Sequence, residues 1–437
     1  MRFRGRVIPT LLLLVIAEAS LLSVNRFEWG AAERAPYTYQ LDWVALWGGS
    51  GYENAKGVAT YGGAVYVDGT TRSYGAGLSD IFLLKYNATG KLLWSRTWGG
   101  SSYDGSWGLA ACEGGVYVAG FTYPNGSAVA SLALLKYSLD SRLIWVKTWG
   151  AGEDAIGRGV AVAGDGYVYV TGYVRGEVTT KESFLLKFSP DGNLVWEKSI
   201  GGEGVNAFSV EASGDTVYVD GTNESAAGGQ WSSEMFLTKL DEAGDVAWTK
   251  TWSNGPVNYC WALSTNGADV YQAGTTGNGA GDLDCVLLDY DPAGNLRYSV
   301  IWGKEGEQYA WGVDRDEGYI YLAGHTLAGG VSSYDAIVVK FTLDGAPVWN
   351  VTWGGRNSDV ARSVAAQGDD VYVTGITYSE GNDSQAFLLK YTSPNIVSSP
   401  LASLTAAGAA GVGVTALVVY ALRAAELGRP PRDHPRY

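Results

Sequence analysis

The stretch that decides the fold runs from Trp47 to Gly69, WGGSGYENAKGVATYGGAVYVDG, and returns near the end of the chain as WGGRNSDVARSVAAQGDDVYVTG from Trp353 to Gly375. Each copy reads as a Gly-Gly corner, an acid six residues after the Trp, a strand of small and aliphatic residues, a Gly-containing turn and a V-Y-V-x-G strand. Working outward, an F-L-L-K-Y strand follows, then a turn and a strand ending in the next Trp. The corners fall at Trp47, Trp98, Trp149, Ile200, Trp252, Trp302 and Trp353, with spacings of 51, 51, 51, 52, 50 and 51 residues. So regular a period marks a repeat architecture, and strand-only units of this length suit propeller blades.

Each unit supplies four strands joined by short turns such as Asp191-Gly192 and Asp344-Gly345, which tolerate the positive φ of hairpins. In the fourth strand the Trp residues stand four apart, as at Trp43 and Trp47, so both rings lie on one face and pack between adjacent blades. The seventh unit stops after AFLLKY at Tyr391, one strand short, while YQLDWVALWGG at Tyr39 precedes any complete unit. Adding that leading strand to the last blade closes the ring and removes its open edges. The expected fold is therefore all-β: a seven-bladed β-propeller of four-stranded antiparallel blades over residues 38–391, closed by its N-terminal strand.

The two quoted segments resemble the bacterial and archaeal SBBP-type β-propeller repeats, and the resemblance extends over all seven units. It implies a propeller on a cell-surface or secreted protein and no common activity. The turns before the Trp strands, such as NATGKLLW from Asn87, also look like the repeats of pyrroloquinoline quinone enzymes, which have eight blades where this sequence has seven.

The ends read differently. MRFRGR, an apolar run of eleven residues and the small residues Ala17 and Ala19 predict a signal peptide over 1–19, followed by a linker over 20–37. After a short stalk at 392–400, the 22 uncharged residues from Leu401 to Leu422 predict a transmembrane helix, with a basic cytoplasmic tail at 423–437. A sorting signal whose tail is removed after export fits the same pattern. The propeller then faces outward from a prokaryotic cell membrane.

The chain carries −14; the first three arginines contribute +3 and the tail +2, so the stretch between holds −19. Such a surface repels phosphate backbones, which argues against nucleic acid as a partner. Cys112, Cys260 and Cys285 are too few and too odd in number for a disulfide framework and read as core residues. With only His325 and His434, histidine triads and His-based metal clusters are excluded, and Asp282/Asp284 and Asp314/Asp316 read as turn residues before Ca²⁺ ligands.

Comparing the copies internally singles out two positions. Six residues after the corners stand Glu53, Asp104, Ala155, Asn206, Asn258, Gln308 and Asp359, which read as turn caps or as polar contacts of a site. Nine residues after them stand Lys56, Trp107, Arg158, Ser209, Trp261, Trp311 and Arg362: variable chemistry inside a fixed frame, as a binding ring or an axial plug requires. If the first strands line the channel, these side chains converge near one mouth beside Glu53, Asp104 and Asp359, and suit sugars or peptides. The sequence thus reads as a non-catalytic binding or scaffold module for cell-wall glycans or envelope proteins, without catalytic residues, cofactor or metal. Its alternative is a glycan hydrolase or lyase, or a quinoprotein-like oxidoreductase, using axial carboxylates. Sequons at Asn87, Asn125, Asn223 and Asn382 read as loop sites open to glycosylation, with a fifth, Asn350, inside a strand.

Overall fold

The computed structural model describes residues 40–392, except positions 125–126, 177–179, 228–229, 278, 280, 304–305, 329–332 and 382, together with the backbone of Val24–Glu28. The chain divides into a unit spanning Met1–Ser393 and another spanning Pro394–Tyr437. The signal peptide, stalk, transmembrane helix and basic tail read from the sequence lie outside the described residues, as do Asn125 and Asn382. Among the described residues no helix is long and apolar enough to cross a membrane.

All described elements are strands, and the fold is all-β and propeller-like, built from four-stranded antiparallel sheets. The first repeat shows the plan: Glu53–Tyr61 pairs with Ala64–Thr71, that strand with Asp80–Asn87, and that one with Leu92–Trp98. Gln40–Trp47 pairs antiparallel with Gln385–Thr392, from Gln40 opposite Thr392 to Trp47 opposite Ala386. It completes a sheet with Asp370–Thr377 and Asp359–Gln367.

The core lies between sheets rather than within one. Seven hydrophobic clusters occupy the junctions between consecutive repeats. One of them joins the first repeat to the last, packing Ala55, Val58 and Phe82 with Ala365, Tyr372 and Leu388. The tyrosine of the V-Y-V strand recurs fully buried at Tyr66, Tyr117, Tyr218, Tyr271, Tyr321 and Tyr372. The first Trp of the outer-strand pairs reaches the next repeat: Trp43 Nε1 donates to Ala88 O at 3.2 Å. The turn beneath it needs Gly90, at φ +79°, because a Cβ there would lie 2.8 Å from the Trp43 ring.

One stretch expected as linker is ordered. Val24–Glu28 runs parallel to the outer strand Leu296–Gly303, from Val24 opposite Ser299 to Glu28 opposite Gly303. An outer strand has one unpaired hydrogen-bonding edge, and a short extended segment satisfies it. Ser299–Gly303 are buried, whereas the equivalent outer strand Leu92–Trp98 is mostly exposed.

Candidate functional site around the inner-strand bulges

Seven inner strands pack one against the next: Glu53–Tyr61, Asp104–Cys112, Ala155–Val162, Val205–Ser213, Val257–Thr265, Gly306–Arg315 and Asp359–Gln367, the last in contact with the first. Each carries one β-bulge against its partner strand. The register skips between Ala55 and Gly57, Ser106 and Gly108, Gly157 and Gly159, Ala207 and Ser209, Cys260 and Ala262, Ala310 and Gly312, and Ala361 and Ser363. A bulge leaves one residue unpaired and re-aims its side chain. The unpaired residues are Lys56, Trp107, Arg158, Phe208, Trp261, Trp311 and Arg362. The residue after each bulge is small because the neighbouring inner strand is close: a Cβ on Gly108 would sit 2.7 Å from Arg158 O, and one on Gly312 2.9 Å from Ser363 Cα.

The fourth member is Phe208, not Ser209. The corner before it, Gly201-Gly202-Glu203-Gly204, is one residue shorter than Gly48-Gly49-Ser50-Gly51-Tyr52, so counting from the corner overshoots by one. That deficit was the signal available in the sequence.

These side chains form a chain of stacked contacts. Lys56 Nζ lies 3.9 Å and the Arg158 guanidinium 3.8 Å from the Trp107 ring centre, so Trp107 contacts two cations. Arg158 also lies 4.9 Å from Phe208, Phe208 lies 4.9 Å from Trp261, Trp261 lies 4.5 Å from Trp311, and Arg362 lies 4.4 Å from Trp311. Burial, then the Arg362 and Arg158 charges, hold the Lys56 ammonium well below its usual range. Burial likewise lowers Arg158, and lowers Arg362 to about 10.

The acids that sequence reasoning set beside this ring do something else. Glu53, Asp104 and Asp359 are fully buried and hold the corner backbone. Glu53 Oε2 accepts from Gly49 N at 3.0 Å, Asp104 Oδ2 from Gly100 N at 2.8 Å, and Asp359 Oδ2 from Gly355 N at 2.8 Å. Asn258 Oδ1 accepts from Asn254 N at 2.9 Å in the same way. These carboxylates cap corners; none lines the cavity described next.

A cavity of about 420 Å³ is lined by all seven inner strands and by the ring residues Lys56, Trp107, Arg158, Trp261, Trp311 and Arg362. Two carboxylates line it as well, Glu211 and Asp314, each three residues beyond a bulge. Burial, then the charges of Asp314 and Asp220, pushes Glu211 up to about 8. Asp314 is pushed up to about 6 by burial, although it accepts from Ala366 N at 2.8 Å and Ser264 Oγ at 3.3 Å. Behind the bulges, the fully buried Asp68 and Asp220 rise to about 7, chiefly through burial. Asp316, paired with Asp314 in the sequence reading, instead closes a turn by accepting from Gly318 N and Tyr319 N at 2.7 Å each. Among the described residues no group of three His, Cys, Asp or Glu side chains could hold a metal ion.

On the corner side of the ring the aromatic contacts continue. Tyr259 stacks on Trp261 at 5.5 Å, and Tyr309 stacks on Trp311 at 5.9 Å and on His325 at 4.6 Å. Tyr334 meets His325 edge-on at 4.6 Å and donates to Glu307 Oε2 at 2.9 Å. His325 Nδ1 accepts from Trp311 Nε1 at 2.9 Å, and burial lowers the imidazole to about 3, so it stays neutral. Sequence reasoning missed this cluster because it comes from four different strand and loop positions.

Of the sequons, Asn87 closes a turn, its Oδ1 accepting from Thr89 N at 3.1 Å and Lys91 N at 2.9 Å. Asn223 does not lie in a loop; it sits inside the strand Thr216–Ala227, paired on both sides. The three cysteines are free.

No family model matches the sequence, and neither does any curated protein. Among solved structures the chain is similar to the β-propeller domain of the Trilobed protease from Pyrococcus furiosus, a domain with an open velcro topology. The TM-score is 0.47 and the identity 11%, over 80% of this chain and 98% of that one. It is also similar to the polysaccharide lyase Uly1, with a TM-score of 0.49 and 11% identity over 78% of this chain and 90% of that one. By its own strand pairing the chain is an all-β, propeller-like protein of four-stranded antiparallel sheets.

Proposed function

We propose that this chain is a closed, seven-bladed propeller of the SBBP type, displayed outside a prokaryotic cell membrane by the 401–422 helix, and that it is a non-catalytic binding module for cell-wall glycans or envelope proteins. Closure is supported by the pairing of Gln40–Trp47 with Gln385–Thr392 and by the shared core of the first and last repeats. Export and anchoring rest on the sequence of the two ends.

One observation carries the binding reading: the aromatic cluster Tyr259, Trp261, Tyr309, Trp311, His325 and Tyr334 on the corner side of the ring. In an antiparallel sheet the corners and the loops between second and third strands lie at the same end. Those segments also present Tyr74, Tyr103 and Tyr378 to solvent, 41–44% exposed. Aromatic faces beside amide and hydroxyl groups suit sugar rings, whose C–H faces stack while their hydroxyls hydrogen-bond. Trp107 is a poorer platform, since Lys56 and Arg158 already lie against it.

The test is retention of the full chain on immobilised cell-wall glycans, wild type against Tyr259→Ala/Tyr309→Ala and against Trp107, Trp261 and Trp311 replaced together by Ala. Both variants should lose retention while remaining folded by circular dichroism. Undiminished retention would remove the reading.

A second reading, a glycan hydrolase or lyase, is supported by the two cavity carboxylates with different proton affinities, Glu211 at about 8 and Asp314 at about 6. Product release from the retained glycans, abolished by Glu211→Gln, would favour it.

A further inference from the structure

The cavity floor has an excess of hydrogen-bond donors and positive charge. Among the described residues Lys56, Arg158 and Arg362 form no ion pair, and Arg158 and Arg362 form no hydrogen bond. The Arg362 Nε and Trp261 Nε1 groups are buried without an acceptor. Lys56 Nζ reaches the Asn54 side-chain oxygen at 3.1 Å when that amide is turned, and the buried Asp68 carboxylate, without an ion-pair contact to it, offsets part of its charge from behind. Aromatic faces offset part of the charge, yet a guanidinium carries five N–H donors that a ring face does not satisfy. The three side chains are only partly buried, yet cations set beside one another without counter-charge repel, and partial desolvation adds to the cost. A ligand that supplies two oxygens and a negative charge would answer all of these groups together.

The walls differ from the floor. Three residues of extended strand, about 10 Å, separate Trp311 from Asp314, and hydroxyls at Thr60, Ser209, Ser264 and Ser363 lie along the same walls. Burial keeps Glu211 largely protonated at neutral pH, so it adds little charge to the wall, whereas Asp314, at about 6, is mostly ionised and suits the hydroxyl end of a ligand rather than its carboxylate. The Glu211 carboxyl and those hydroxyls can exchange hydrogen bonds with a polyol.

We propose that this cavity is a binding site for a sugar acid, whose carboxylate sits on Lys56, Arg158, Arg362 and Trp261 Nε1 and whose hydroxyls face Glu211, Asp314 and the wall serines. The assignment deepens the glycan-binding reading and rests on it only for the sugar part.

The experiment titrates the full chain, in detergent, with glucuronate, glucose and inorganic sulfate, read by tryptophan fluorescence and by calorimetry. Glucuronate should bind at least tenfold more tightly than glucose or sulfate and should raise the thermal midpoint. Arg158→Gln and Arg362→Gln should each weaken glucuronate at least tenfold, and Trp261→Phe by a few fold. Added salt should weaken the wild type as well, which keeps the test valid if a variant misfolds. Glucose binding as tightly as glucuronate, sulfate matching it, or no glucuronate binding would overturn the site. If glucuronate binds but immobilised glycans are not retained, the binding-module reading falls and the site stands. If glycans are retained and the arginine variants retain them and glucuronate equally well, the site falls and that reading stands.

Discussion

Two positions on the same inner strand, three residues apart, have opposite fates. At the corner position Glu53, Asp104, Asn258 and Asp359 do one job in four of the seven copies, accepting from a corner N–H while fully buried. At the bulge position the chemistry changes from copy to copy, through Lys56, Trp107, Arg158, Phe208, Trp261, Trp311 and Arg362, and the side chains meet one another instead of the backbone. A repeat protein solves the same structural problem in every unit, so a residue type that recurs belongs to the scaffold. A position that varies inside an unvarying frame is free to be a site. The bulge separates the two roles, because it breaks the alternation that would otherwise put odd and even residues on fixed faces.

The contrast can be broken by mutation. The largest loss of stability is expected for Asp359→Ala, which empties a buried carboxylate position and strips the acceptor from Gly355 N and Ser379 Oγ at the corner. About 3 kcal/mol by chemical denaturation is expected, and Asp359→Asn should cost far less, since Asn258 fills the same position in the fifth copy. An effect of Asp359→Ala under about 0.5 kcal/mol would mean the corner acids are not scaffold.

A smaller effect separates the groups by pH. Burial raises Asp220 from its ordinary range to about 7, so the folded state holds a proton that the unfolded chain releases near pH 4. Its contribution is therefore unfavourable to folding as pH rises, growing from about pH 4 and levelling off above about 7. Between pH 5 and pH 8 the wild type should lose about 2 kcal/mol relative to Asp220→Asn. Parallel stability curves for the two proteins would show that Asp220 is not held protonated.

The smallest effect is expected at the bulges. Arg362→Met removes a cation that has no ion pair among the described residues and keeps much of the volume. Its stability should stay within about 0.5 kcal/mol of the wild type or rise, measured by thermal unfolding. A loss as large as that of Asp359→Ala would place Arg362 with the scaffold and erase the distinction.

Much of this was legible in the sequence, for physical reasons. The 51-residue period, the Trp pairs and the missing fourth strand of the last repeat follow from strand alternation and from the cost of an open edge. The bulge was not legible, since it adds no residue type that an ordinary strand lacks. Counting from the corner lands on Ser209 instead of Phe208 because the fourth corner is one residue shorter, and of the two roles open to Glu53, Asp104 and Asp359, cap or site contact, the hydrogen bonds show the cap. Glu211 is hidden in the sequence because its position is mostly small: the other copies place Ala59, Ala110, Ala161, Ser264, Asp314 and Ala365 along the same walls. That Arg158 and Arg362 meet aromatic rings and, among the described residues, no carboxylate is a property of three dimensions alone.

Arg362 and Lys56 become neighbours only if the last repeat meets the first, so the account turns on the leading strand. The direct measurement is a double variant, Gln40→Cys with Thr392→Cys, at two residues the structure places directly opposite each other. Mild oxidation should join them in nearly all molecules, with faster migration on a non-reducing gel, a 40–392 linked peptide by mass spectrometry and a higher unfolding temperature. Failure of the two cysteines to link in the folded protein would contradict the ring and the site built upon it.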